Sequence, residues 1–215
     1  MSAGSAVSAP PRIAVLDYGI GNLRSAEKAL QHAGADAVLT ADRAVIDDAA
    51  AVVLPGVGAF GRCREALADT GLDQVALDAV ASGRPFLGIC IGMQLLYDGS
   101  EEAPGVTGLG ILAGMVRRLP AGVKHPQMQW NRVDVQTESP LFDGLPERPW
   151  MYFVHSFAAE VTPQMVATCD YGGPVTAAAQ FDQVMATQFH PEKSGAAGLG
   201  LLGNFVRVAA GVRAA

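Results

Sequence analysis

Short apolar runs alternate with helical patterns through the first hundred residues, and this alternation restricts the fold more than any other feature. Arg12–Leu16, Ala37–Leu39, Ala51–Leu54 and Pro85–Ile89 read as strands. Helical patterns over Leu23–His32, Arg62–Ala68, Leu72–Ala81 and Ile91–Tyr97 fall between or after them, with Gly34 and Gly83 as stops. Such an order needs right-handed crossovers, which lay parallel strands side by side and cover both faces with helices. After Gly99 the pattern becomes strand-rich: Ile111–Leu119, Met128–Val135, Met151–Ala159, Val166–Cys169, Val175–Gln180 and Val184–Gln188, with a last helix over Ala197–Val208. The expected fold is α/β, a mostly parallel central sheet flanked by helices, with additional antiparallel strands in the second half. No repeat or low-complexity linker divides the chain, so residues 12–212 are expected to form a single domain. Residues 1–11, small, polar and proline-rich, are expected to be a flexible N-terminal tail.

Half of the 215 residues are apolar and 17% are charged, enough to build a core. A net charge of −6 argues against binding nucleic acid or an anionic membrane. No run of about 18 apolar residues is present, and the first residues lack a signal-peptide pattern, so a cytoplasmic location is expected. The three cysteines, Cys63, Cys90 and Cys169, are odd in number and lack metal-ligand spacing. Neither a disulfide framework nor a metal nor a cofactor is expected.

Gly88-Ile89-Cys90-Ile91-Gly92 has the form of a nucleophile elbow between a strand and a helix. Flanking glycines let the chain turn without side-chain clashes and lift Cys90 out of the sheet. The sulfur then lies at a helix N-terminus, where partial positive charge favours thiolate, and the Ile91 N–H points to where a carbonyl oxyanion would form. Cys63 and Cys169 lack this setting and read as buried and inert.

A nucleophilic cysteine needs a base, and the base needs an orienting group. His190 follows an apolar strand and precedes Pro191, which biases it toward extended backbone. Glu192, two residues on, can reach back to the ring. His32, His125 and His155 read as structural.

Gly88-Ile-Cys-Ile-Gly-Met-Gln94 together with Gln188-Phe-His-Pro-Glu192 resembles the triad framework of the class I glutamine amidotransferases. Leu16-Asp-Tyr-Gly-Ile-Gly-Asn22, Leu54-Pro-Gly-Val-Gly-Ala-Phe-Gly61, Trp130-Asn131, Phe153-Val-His-Ser156 and Phe189-His-Pro-Glu-Lys-Ser-Gly195 are similar to the glutaminase subunits of imidazole glycerol phosphate synthase, in the same order from about Arg12 to the C-terminal helix. The resemblance implies that Cys90 attacks the side-chain amide of glutamine, His190 protonates the leaving ammonia and Glu192 orients the imidazole. It implies oxyanion donors at Val57, beside Gly58, and at Ile91. It places the substrate at Gln94, Glu102, Ser156 and Phe157. It implies a heterodimer with a (β/α)8-barrel cyclase subunit, with Asn22, Trp130, Tyr152 and Lys193 at the interface or ammonia exit. For Trp130 and Tyr152, plain core packing is an equal alternative, and Glu102 also reads as a solvated charge. The run Pro126-Gln-Met-Gln-Trp-Asn131 departs from the usual Pro-His-Met-Gly-Trp-Asn, and Phe157 replaces a tyrosine. Other glutaminases differ around the oxyanion strand and elbow, and a non-catalytic module would be expected to lack part of the triad.

Overall fold

A computed structural model describes residues 9–211 of the chain. Most of the expected tail, residues 1–8, and the expected domain end at residue 212 lie outside the described residues. Pro11 is tied down, its carbonyl accepting from the Asp36 N–H at 3.0 Å.

Strand β1 (Arg12–Leu16) leads through a loop to α1 (Leu23–His32), whose buried stripe is Leu23, Ala26 and Leu30. Then come β2 (Asp36–Thr40), α2 (Arg43–Asp48), β3 (Ala51–Gly56), α3 (Phe60–Asp69), α4 (Leu72–Ala81), β4 (Phe86–Cys90) and α5 (Ile91–Leu95). The second half holds β5 (Gly99–Ser100), β6 (Met115–Arg118), β7 (Gln127–Arg132), β8 (Asp134–Val135), β9 (Trp150–His155), β10 (Phe157–Ala159), β11 (Met165–Asp170), β12 (Pro174–Phe181), β13 (Val184–Thr187) and α6 (Gly195–Ala209). The main sheet runs β2-β1-β3-β4-β13-β12-β11-β8. Its first five strands are parallel, and the remaining pairings are antiparallel. A mostly parallel sheet with an antiparallel second half is therefore what forms. One cluster of buried apolar side chains runs through it.

Several expectations need correction. Of the expected strand Ile111–Leu119, only Met115–Arg118 forms one. Helix α2 was not expected; Asp42 caps it, accepting from the Ala44 N–H at 2.9 Å. Helix α5 stops at Leu95 rather than Tyr97, because the Leu95 and Leu96 carbonyls are taken by the Leu109, Ile111 and Leu112 N–H groups. The expected strand Met128–Val135 breaks at the fully buried Val133 into β7 and β8, which join different sheets. Met151–Ala159 breaks at Ser156 into β9, paired with β7, and β10, paired with β6. That last break matters for function, since it turns the backbone of Ser156 and Phe157 toward the carboxyl ends of β3 and β4.

Candidate active site

Parallel strands present their carboxyl ends on one edge, and the crevice beyond that edge is where such sheets hold ligands. Here the ends of β3 and β4 lie in register, Gly56 beside Cys90, and β13 flanks β4 with Thr187 beside Ile89. A cavity of about 260 Å³ opens there, lined by Val57, Gly58, Cys90, Ile91, Gln94, Glu102, His155, Ser156, Phe157 and His190, among others. A larger groove of about 1070 Å³ lies between the Pro140–Phe142 turn and α6, but no cysteine or histidine lines it. Size therefore does not locate the chemistry.

The elbow takes the form that its glycines permit. Cys90 has φ 56° and ψ −109°, a conformation that L-residues seldom adopt. A Cβ on Gly92 would come within 1.7 Å of the Leu54 carbonyl oxygen, and one on Gly88 within 2.9 Å of the Gly92 oxygen. Hydrogen at Gly92 lets the turn pack against β3, and hydrogen at Gly88 lets the elbow close on its own backbone.

His190 follows β13 and is 1% exposed. Its backbone N–H donates to the Tyr152 carbonyl at 2.9 Å, and its own carbonyl accepts from the Ser194 hydroxyl at 2.6 Å. Its ring Nδ1 lies 2.7 Å from Glu192 Oε1. That contact makes Nδ1 the donor and leaves Nε2 buried without a hydrogen-bond partner, in a residue that lines the same cavity as Cys90. Burial alone would lower the imidazole pKa, but the Cys90 sulfur and the Glu192 carboxylate outweigh it and hold it up at about 10.

A second imidazole faces the same cavity. His155 is buried, and its Nδ1–H donates to the Phe157 carbonyl at 2.8 Å. Its Nε2 is left as an acceptor without a partner. Burial, with the charge on His190 adding to it, lowers this ring's pKa to about 4. The two imidazoles thus take opposite states at neutral pH, the separation expected where neighbouring groups have different tasks. Reading His155 as structural did not place it at the cavity; no local sequence signal marks it, since its position depends on β9 lying beside β4.

The remaining expected residues divide into two groups. Gln94 and Glu102 line the cavity. Gln94 is fully buried, its Nε2 donating to the Phe157 carbonyl at 2.9 Å and to Gln188 Oε1 at 3.0 Å. Glu102 is not a free surface charge: its Oε2 accepts from the Phe60 N–H at 2.7 Å, at the start of α3. The Val57 carbonyl accepts from the Cys63 thiol at 3.5 Å, and Gly58 turns with φ +109°. Asn22, Trp130, Tyr152 and Lys193 lie outside the cavity. Trp130 is 48% exposed and meets Tyr152 edge-on across β7 and β9, so core packing is not its role. Asn22 and Lys193 are exposed. Cys63 and Cys169 are buried, and burial raises both thiols, Cys169 to about 11. Gln188, in contact with the Cys90 sulfur, had no role in the sequence reading.

The family model for class-I glutamine amidotransferases matches residues 14–208. The imidazole glycerol phosphate synthase subunit HisH of Methanothermobacter thermautotrophicus is 49% identical over 197 residues, covering 91% of this chain and 98% of its own. HisH of Deinococcus radiodurans is 49% identical over 205 residues, with 94% and 95% covered. HisH of Methylococcus capsulatus is 50% identical over 208 residues, with 91% and 95% covered. Among solved structures, a glutamine amidotransferase superposes with a TM-score of 0.73 at 20% identity, covering 93% of this chain and 99% of that one. A chain of PurLQS from Thermotoga maritima gives 0.70 at 19% identity, again with 93% and 99% covered. At those identities the structures speak for the fold alone.

Proposed function

This chain belongs to the class-I glutamine amidotransferase family and, within it, to the HisH subunits of imidazole glycerol phosphate synthase, and from that premise we propose how its own residues carry the reaction. The enzyme hydrolyses L-glutamine to L-glutamate and ammonia and passes the ammonia to the cyclase subunit, which forms imidazole glycerol phosphate and aminoimidazole carboxamide ribotide in histidine biosynthesis. Residues 12–212 act as one domain.

Cys90 adds to the amide carbon of glutamine. The oxyanion that forms is held by the N–H groups of Ile91 and Val57, with Gly58 allowing the turn. His190 gives its proton to the departing ammonia, leaving a γ-glutamyl thioester on Cys90. Water, relieved of a proton by His190, then hydrolyses the thioester. Glu192 keeps Nε2 aimed at the sulfur and the leaving group. Gln94 and Glu102 hold the amino-acid end through acceptor oxygens, and the Ser156–Phe157 backbone meets its carboxylate. Gln94 Oε1 is buried without a partner, which suits a substrate N–H.

Trp130, Tyr152, Asn22 and Lys193 face the (β/α)8-barrel partner of a heterodimer or the ammonia exit. The exposed face of β7 and β9 supports this: Met128, Trp130 and Trp150 are each about half exposed or more. The Tyr152 carbonyl also accepts directly from the His190 N–H, so the docking face is hydrogen-bonded to the backbone of the base. The place of action is the cytoplasm; no helix among the described residues is long and apolar enough to cross a membrane.

The observation that carries this reading is the strained Cys90 elbow sharing one cavity with a His190–Glu192 pair at 2.7 Å. Its test is Cys90→Ala in the full complex. Glutamine-dependent turnover should disappear while turnover on free ammonia persists. Undiminished ammonia release from glutamine would refute the assignment.

A further inference from the structure

Gln188 takes no part in the steps above, yet it touches the nucleophile. It is fully buried at the end of β13, and its Nε2 lies 3.7 Å from the Cys90 sulfur, within N–H···S range. Which end of its amide faces the sulfur is decided by a chain of contacts. The Phe157 carbonyl can only accept, so the Gln94 group 2.9 Å from it must be the NH2 end. The second N–H of that NH2 reaches Gln188 at 3.0 Å and requires an oxygen there. The oxygen of Gln188 is thereby fixed toward Gln94 and its NH2 toward Cys90.

We propose that Gln188 is a catalytic residue: its side-chain N–H stabilises negative charge on the Cys90 sulfur, and Gln94 sets its orientation. This rests on the reading of Cys90 as the nucleophile. Helix α5 is only one short turn, so a helix terminus alone is a thin source of positive potential. A buried neutral donor supplies a fixed dipole at the sulfur, where low polarity makes it count. It adds no charge that would compete with the proton on His190. The same chain leaves Gln94 Oε1 as the free acceptor in the cavity. A substrate N–H bonded there would polarise Gln94, then Gln188, toward the sulfur, so that occupation of the substrate site is felt at the nucleophile.

The test uses the full chain, a glutamine-shaped chloroketone that alkylates Cys90, and peptide mapping of the label. Gln188→Met keeps length and packing but removes both hydrogen bonds. The maximal labelling rate should fall about tenfold or more at neutral pH, as expected for loss of a hydrogen bond to a charged group. The half-saturating reagent concentration should change less than twofold, and the deficit should close in alkaline solution, where base removes the proton unaided. A packing role would instead weaken reagent binding or lower the rate equally at every pH. Wild-type labelling at neutral pH, or a deficit independent of pH, would overturn the proposal. If Gln188→Met does not fold, Gln188→Glu decides. It keeps the acceptor for Gln94 and puts an oxygen in place of the N–H, so labelling should be slow and stay slow in alkaline solution; a wild-type rate would overturn the proposal. Failure of the wild-type chain to take label at Cys90 would instead refute the active-site reading itself.

Discussion

The two walls of the catalytic cavity are built differently. On the Cys90–His190 side, both side chains are nearly inaccessible. The imidazole is gripped by Glu192, its backbone is bonded to Tyr152 and Ser194, and the elbow fits against β3 with no room for a Cβ at Gly88 or Gly92. On the Pro55–Gly58 side, the strand runs out into a turn whose Val57 is half-buried and whose Gly58 is exposed. There the Val57 carbonyl rests on one thiol contact of 3.5 Å. One wall is fixed by tertiary packing, whereas the other rests on a soft turn. On the proposed reading, the nucleophile and base are held in place in the chain as it stands, and the adjustable element is the peptide proposed to supply an oxyanion donor. Glycine makes that adjustment inexpensive, since positive φ at residue 58 costs it little.

The largest effect should come from the fixed wall. His190→Asn removes the proton carrier, and glutamine hydrolysis by the complex should fall by about 10³ or more, since members of a triad act as one unit. A loss of less than tenfold would show that the wall is not the catalytic one. The cost of holding that wall together should appear in acid. The unfolded chain protonates His155 near its ordinary value of 6.5, whereas the folded chain resists until about 4. The unfolded state therefore binds more protons in this window, and the stability present above pH 6.5 drains away as pH falls toward 4. The amount is about 3 kcal/mol at most. Urea melts of the wild type and of His155→Gln across that range should show a shallower pH slope in the variant; equal slopes would remove His155 from the account. The smallest effect belongs to the soft wall. Cys63→Ala deletes the thiol that steadies the Val57 carbonyl, which should raise basal glutamate formation of the isolated chain by about two- to fivefold, the value of a weak hydrogen bond. An unchanged basal rate would mean that the thiol does not restrain the turn.

The fixed wall was also the more legible one. The elbow is local: two glycines around Cys90 announce both the sharp turn and the close packing. His190 and Glu192 are two residues apart, so their contact needs no long-range geometry. The first-half strands follow from continuous apolar runs, because both faces of a parallel sheet are buried. What escaped sequence reasoning depends on tertiary structure. The breaks at Val133 and Ser156 arise because each segment divides between two sheets, while its residues remain good strand formers throughout. His155 and Gln188 gain their meaning only when β9 and β13 are brought beside β4. Glu102 was placed at the site by the resemblance, while its own run reads as surface; its bond to the Phe60 N–H is long-range and is not legible locally.

The contrast between the walls is tested most directly by two rates measured on the isolated chain and on its complex with the cyclase partner and nucleotide. One is alkylation of Cys90 by a glutamine-shaped chloroketone, which reports the nucleophile and base. The other is steady-state glutamate formation, which also needs the oxyanion donor. The account predicts that alkylation changes by no more than a few fold, while glutamate formation rises by about 10²–10³, the value of one oxyanion donor. Equal glutamate formation in the two forms would show the turn to be permanently set, and a parallel rise in alkylation would show that the Cys90–His190 wall was not assembled beforehand.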